Sequence, residues 1–294
     1  MFAGGIFTNL SHDHLDYHSS FAEYRDVKKS FFDKLPKSAF ALTNIDDKNG
    51  LVMLQNTVAK KLTYALKTYA DYRAQILESQ FSGLLLKIND QEVWVKLIGT
   101  FNAYNLLAIY AASINLGLEE MEVLRLMSEL ESVSGRFQFV VSDTGITAIV
   151  DYAHTPDALE NVLKTIEDIR TRNEKLITVV GCGGDRDKTK RPVMANIASS
   201  MSDQAIFTSD NPRSEVPEDI IEDMERGVEP QNYKKTLAVV DRRQAIKIAC
   251  QLAKPKDIIL IAGKGHETYQ EIKGVRHDFD DMQIVKEILG QLNK

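Results

Sequence analysis

Cysteine is scarce in this chain: Cys182 and Cys250 are the two among 294 residues. Two thiols provide no disulfide framework, and so low a usage fits a reducing compartment. Long apolar runs are missing as well, since none approaches the ~20 residues needed to cross a bilayer. The opening Met-Phe-Ala-Gly-Gly-Ile has neither the basic segment nor the apolar stretch of a secretory signal, so a cytoplasmic location and no membrane partner are expected. Positive charge is not in excess either. With 36 Lys and Arg against 42 Asp and Glu, the formal net charge is -6, which leaves no sequence-wide basic footprint for nucleic acid. Small molecules are the expected partners, and the length is enough for two domains with their own cores.

What is present is an alternation of short apolar runs and helical patterns in the second half. Ile146–Val150, Leu176–Val180, Ala205–Thr208, Leu237–Val240 and Ile258–Ala262 read as strands. Amphipathic segments separate them. One opens on Thr155-Pro156, threonine as N-cap and proline at the first helical position, and carries Leu159, Val162, Leu163, Ile166 and Ile169 on its apolar face. Another carries Val193, Met194, Ile197 and Met201, and Asp241 is placed to cap the helix with Ile246, Ile248, Ala249 and Leu252. Such alternation implies a mostly parallel, doubly wound α/β sheet with right-handed crossovers. Ligands bind such sheets at the carboxyl ends of the strands. Four loops would emerge there together, carrying Asp151 and His154, Asp185 and Arg186, Asp210 and Arg213, and Lys264 and Glu267. A single stretch such as Asp210-Asn-Pro-Arg-Ser-Glu215 is more often a solvated turn. Four charged loops converging on one edge point instead to a ligand site. A nicotinamide is a poor candidate, because the third glycine of a dinucleotide fingerprint would fall at Arg186.

The first half is less regular. Thr8 to His18 is rich in histidine and aspartate, which suits a divalent metal site and equally a loop whose imidazoles cap a helix. An amphipathic segment with Phe21, Tyr24, Lys28 and Phe31 follows. Ala39–Leu42 reads as a strand, Leu84–Ile88 and Val93–Leu97 as a hairpin through Asn89-Asp90, and Gly99–Asn105 as the opening of an apolar helix with Asn102 as its N-cap.

Six motifs, taken together, resemble one family. They are Thr8-Asn-Leu-Ser-His-Asp-His-Leu-Asp-Tyr-His18, Gly99-Thr-Phe-Asn-Ala-Tyr-Asn105, Asp151-Tyr-Ala-His-Thr-Pro156, Gly181-Cys-Gly-Gly-Asp-Arg-Asp-Lys188, Asp210-Asn-Pro-Arg213 and Gly263-Lys-Gly-His-Glu267. In that order, and over essentially the whole chain, they resemble the Mur ligases, and among these the ligases that add the third amino acid of the peptidoglycan stem peptide. The resemblance implies a partial central ATPase domain at 1–135 and a Rossmann-like, doubly wound C-terminal domain at 136–294. It implies joining of meso-2,6-diaminopimelate to UDP-N-acetylmuramoyl-L-alanyl-D-glutamate with ATP and Mg2+, through an acyl phosphate. By the same resemblance His14 ligates the metal and Lys28 is a carbamate bridging toward it. Asn105 contacts adenine, and Arg136, Asp151 and His154 approach ATP. Arg186, Asp210, Asn211, Arg213, Gly263 and Glu267 hold the incoming amino acid.

One departure stands out: Gly-x-x-x-x-Gly-Lys-[Ser/Thr], the loop that cradles ATP phosphates in the family, is absent from these 294 residues. The chain is therefore expected to be a fragment that is inactive alone. A lysine-adding ligase and a folylpolyglutamate synthase are disfavoured by Asp-Asn-Pro-Arg, while a non-catalytic amino-acid-binding module stands as the competing class.

Overall fold

The computed structural model describes residues 2–10 and 20–294. The chain divides into two compact units, Met1–Glu131 and Ser132–Lys294.

In the first unit, β1 (Gly4–Phe7), α1 (Phe21–Asp33), β2 (Phe40–Asn44), a single-turn α2 (Gly50–Met53) and β3 (Lys60–Ala65) lead into β4 (Tyr72–Gln80), β5 (Gly83–Ile88) and β6 (Gln91–Val95). Two helices, α3 (Thr100–Asn115) and α4 (Glu120–Glu129), complete it. The strands lie in numerical order. β1 to β4 are parallel, while β4, β5 and β6 form an antiparallel meander with a bulge between Ile76 and Glu78. The apolar side chains of α3, Leu106, Leu107 and Tyr110 among them, pack with Leu42, Tyr64, Leu84, Leu86 and Ile88 into one core. The hairpin turn is where the sequence places it, with Asn89 in the left-handed region at φ 52°. Asn102 is not the N-cap. Gly99, at φ 92°, ends the preceding loop three residues earlier, and Asn102 lies in the first turn with its side-chain amide donating to the Ile98 carbonyl at 2.8 Å.

Asp46, just after β2, organises this unit. Its carboxylate accepts from the backbone amides of Leu66, Lys67 and Thr68 at 2.8, 2.9 and 3.0 Å, from the Thr68 hydroxyl at 2.6 Å and from the Tyr104 hydroxyl of α3 at 2.8 Å. Burial alone would push its pKa up, but these donors prevail and hold it down at about 2. A carboxyl depressed below its ordinary 3.8 stabilises the fold above that pH and loses this contribution as pH falls toward about 2. Asp46→Asn is therefore expected to destabilise the unit by about 1–2 kcal/mol near neutral pH. In thermal melts the gap between variant and parent should narrow as the pH is lowered through 3.8 toward about 2. A gap that is independent of pH would refute this account.

The second unit contains β7 (Gln138–Val141), β8 (Thr147–Asp151), α5 (Pro156–Ile169), β9 (Leu176–Cys182), α6 (Lys190–Met201), β10 (Gln204–Ser209), α7 (Pro217–Glu225), β11 (Thr236–Ala238), α8 (Arg242–Leu252) and β12 (Ile258–Ala262). A hairpin of β13 (Tyr269–Ile272) and β14 (Val275–Asp278), then α9 (Asp281–Gln291), close the chain. The main sheet runs β11-β10-β9-β12-β8-β7, parallel throughout except for β7. Its inner strands are buried along their length, which is why they read as unbroken apolar runs rather than alternating ones. Thr155 and Asp241 cap α5 and α8 as the sequence indicates. The face of α6 differs from the sequence reading: Val193 is 47% exposed, whereas Arg191 is wholly buried beside Met194, Ala195 and Ala198. Apolar periodicity misplaced that face because a charged residue occupies part of it.

Candidate functional site

The four strand-end loops of the second unit emerge at the carboxyl edge of one sheet, and three of them are tied together. After β10, Asp210 and Asn211 are buried and Arg213 is half-buried. After β12 the chain passes through Gly263 at φ 119°. A Cβ there would lie 2.7 Å from Asp210 Oδ2, so only glycine permits both the backbone turn and the close approach of that carboxylate. Lys264 follows, fully buried. Its Nζ donates to Asn211 Oδ1 at 2.9 Å and lies 3.3 Å from Glu267 Oε2, while Asn211 Nδ2 donates to the same Glu267 oxygen at 2.7 Å. Glu267 Oε1 and Asp210 Oδ2 accept no hydrogen bond among the described residues, so two acidic oxygens are left for a cationic ligand group.

Arg213 sits in the left-handed region at φ 53°, a conformation that a non-glycine residue keeps only when its surroundings enforce it. The enforcing element is the β13–β14 hairpin. Arg213 N donates to Glu271 O at 3.1 Å, and Lys273 N donates to Arg213 O at 2.7 Å. Beside it, Gln270 Nε2 donates to Asp210 O at 2.7 Å and Glu271 N to Asn211 Oδ1 at 2.9 Å. The Arg213 guanidinium spends Nη1 on the Gly184 carbonyl at 2.7 Å. Its Nε and Nη2 have no partner among the described residues, an edge suited to a bidentate carboxylate. Arg186, one loop over, is exposed and makes no hydrogen bond among the described residues.

The β8 loop carries a second cluster, joined to the β12 loop where Gly263 N donates to Asp151 O at 3.0 Å. Asp151 is buried and accepts from the backbone amides of Phe137 at 2.7 Å and Ala153 at 2.8 Å. Burial raises its pKa; those two amides, with Arg136 and His154, pull the other way without cancelling it. Asp151 thus braces the turn, while the exposed groups are Arg136, whose guanidinium lies 4.7 Å from the Tyr152 ring centroid, and the His154 and His266 rings at 4.6 and 5.1 Å from it. Such a stacked cationic and aromatic surface suits a planar or anionic group.

In the first unit, Asn105 is exposed on α3, its amide 3.3 Å from Asn102 Oδ1. Lys28 is exposed on α1, with Nζ 5.0 Å from the Tyr24 ring centroid. The buried lysine of this helix is its neighbour Lys29, paired with Asp33 at 2.7 Å. His14 lies outside the described residues, among which no group of three or more His, Cys, Asp and Glu converges on a metal position. The sequence reading missed the hairpin clamp, although Tyr269-Gln-Glu-Ile-Lys-Gly-Val275 is a strand-turn-strand pattern. It also missed Arg191, a buried charge that apolar periodicity cannot reveal.

Comparison with known proteins matches residues 1–113 to the family model of the Mur ligase middle domain, and residues 135–265 to that of the Mur ligase, glutamate ligase domain. A UDP-N-acetylmuramoyl-L-alanyl-D-glutamate–2,6-diaminopimelate ligase of Cytophaga hutchinsonii is 56% identical over 293 residues, covering 100% of this chain and 60% of that protein. The ligase of the same name from Parabacteroides distasonis is 59% identical over 289 residues, covering 98% of this chain and 60% of its own length. The chain thus spans about 60% of the length of these curated relatives. A solved structure of a ligase of that name is 38% identical with a TM-score of 0.64, over 99% of this chain and 61% of that one. MurF from Acinetobacter baumannii, 12% identical, shares the fold with a TM-score of 0.72 over 99% of this chain and 59% of its own.

Proposed function

The chain belongs to the Mur ligase family, and from that membership we propose that it serves the ATP-dependent joining of meso-diaminopimelate to UDP-N-acetylmuramoyl-L-alanyl-D-glutamate in the cytoplasm. The observation that carries this reading is the pairing, at one sheet edge, of the open guanidinium edge of Arg213 with the acidic oxygens of Asp210 and Glu267. Diaminopimelate is zwitterionic at both ends, so its distal centre presents a carboxylate and an ammonium together; lysine ends in an ammonium alone. Arg213 takes the distal carboxylate, and Asp210 and Glu267 take ammonium protons. Arg186, exposed on the neighbouring loop, is assigned to the other carboxylate.

Asn105 is the residue that would hold adenine, since its exposed amide offers one donor and one acceptor to a purine edge. Arg136 and His154, exposed around Tyr152, would meet the nucleotide's anionic part. His14 and Lys28 are assigned to Mg2+, Lys28 as a carbamate; an exposed amine on α1 is accessible to carbon dioxide. When bound, ATP with Mg2+ supplies the phosphoryl group that activates the glutamate side-chain carboxylate. The role of the second unit is to orient the amino acid, its carboxylates and distal ammonium held by fixed charges rather than by water while the attacking amine is left free.

The test is steady-state ligation by the complete gene product with ATP, Mg2+, the UDP-linked dipeptide and either diaminopimelate or lysine. Diaminopimelate is expected to be preferred in kcat/KM by about a hundredfold or more, the worth of a desolvated charged pair. Equal use of the two overturns the substrate assignment, and no turnover with either overturns the enzymatic one.

A further inference from the structure

We infer that Glu215, gripped by the buried Arg191, is a positioning residue for Arg213 and thereby tunes selection of an amino acid with a second carboxylate. This rests on the reading of Arg213 as the carboxylate donor. The Arg213 guanidinium is aimed by its bond to Gly184 O, and Gly184 lies in a loop without regular structure, between β9 and α6. What fixes that loop is a set of bonds to the Asp210 segment. Gly184 N donates to Asn211 O at 2.9 Å and Asp185 N to Glu215 Oε1 at 2.7 Å, while Asp185 accepts from Ser214 N at 3.2 Å and Ser214 Oγ at 2.6 Å. The approach is close enough that a Cβ on Gly184 would meet Pro212 O at 2.0 Å.

Glu215 anchors this seam because Arg191 holds both of its oxygens. Arg191 Nη2 donates to Oε1 at 2.8 Å and Nη1 to Oε2 at 3.0 Å, with a further contact from Nη2 to Gly183 O at 3.4 Å. Arg191 Nη1 also reaches Asp223 of α7 at 2.9 Å, and Lys188 lies 3.0 Å from Glu215 Oε2. The bonds from Arg191 outweigh burial and keep the Glu215 carboxyl down at about 2. It is ionised near neutral pH. Arg191 is 0% exposed and its Nε has no partner among the described residues. Buried ion pairs of this kind add little net stability. What this pair supplies is a fixed distance between two loops, one carrying the Arg213 guanidinium and the other the carbonyl that aims it.

The test is kinetic, on the complete gene product. Glu215→Gln keeps the shape but places an amide N–H2 against a guanidinium, so the seam loosens. The KM for diaminopimelate is expected to rise by about tenfold to a hundredfold, as a misplacement of about 1 Å can cause. By contrast, kcat should stay within about threefold and the KM for ATP should not change. Asp223→Asn is the control: it removes the other carboxylate on Arg191 without touching the Asp185 loop, and the KM for diaminopimelate should hold. An unaltered KM in Glu215→Gln overturns the inference, as does an equal rise in Asp223→Asn or a parallel rise in the KM for ATP. Failure of the functional reading looks different, because the unmutated protein would then ligate no diaminopimelate and both proposals would fall.

Discussion

Arg213→Ala is expected to weaken the use of diaminopimelate by about 2–5 kcal/mol in kcat/KM, the cost of removing one partner from a desolvated charge pair. On the proposed assignment the guanidinium contacts the amino acid in ground state and transition state alike, so most of the loss should appear in KM. The half-buried Arg213 spends Nη1 on Gly184 O, so the Nε and Nη2 edge is what remains for a carboxylate. Lysine at this position cannot restore that edge, for an ammonium has no planar fork and none of the backbone constraint at φ 53° would help it. Arg213→Lys should therefore recover only a small part of the loss. Steady-state kinetics with diaminopimelate varied at saturating ATP checks both variants, and a KM for Arg213→Ala equal to the parent's would sink the assignment.

Arg242→Ala should give the largest loss of stability in the second unit, about 3–5 kcal/mol, because it strands a buried carboxylate. Arg242 and Asp281 are each 0% exposed in their side chains, and the guanidinium is bidentate on the carboxylate at 2.9 and 2.7 Å. Nη2 also donates to Ala262 O at 3.0 Å, the last residue of β12 before the Gly263 turn. The variant should therefore disturb the site as well as the fold. Replacing both partners by apolar residues of similar size, Arg242→Met with Asp281→Leu, should recover most of the stability, since a buried pair is worth little net against good packing. Hydrogen exchange over residues 132–294 reads both effects. Single-variant protection matching the parent, or a double variant no better than the single, would contradict this account of the pair.

The parallel sheet of the second unit was legible because its strands are buried on both faces and the helices between them carry clear caps, as at Thr155 and Asp241. The carboxyl-edge loops followed from topology alone. What geometry added is how they are held, and here the sequence is silent for a physical reason. Arg191 contributes to the buried face of α6 and Lys264 is enclosed by Asn211, Glu267 and Tyr269, yet both read as solvated charges in any pattern based on polarity. The carboxylates that hold Arg191 lie 24 and 32 residues away and Asn211 lies 53 residues from Lys264, beyond the reach of local periodicity. In the first unit, β3 and β4 escaped notice because Lys60-Lys61 and the half-exposed β4 blur the alternation that marks a strand. The helix capping at Gly99 was misread because a glycine with positive φ ends a loop more firmly than an asparagine begins a helix.

The strand order β11-β10-β9-β12-β8-β7 has a consequence for how the chain is made. β12, which lies between β9 and β8, is the last strand of that sheet to leave the ribosome. Until Ile258–Ala262 emerges, β8 and β9 each present an open edge, and the nascent chain must be kept from pairing with other strands during that interval. The Gly263–Glu267 loop and the clamp on Arg213 come later still. The loops at the carboxyl edge are therefore held together only after β12 and the hairpin have emerged, and a nascent chain stalled before β12 would carry Arg213 without Lys264, Glu267 and the backbone partners that fix its loop.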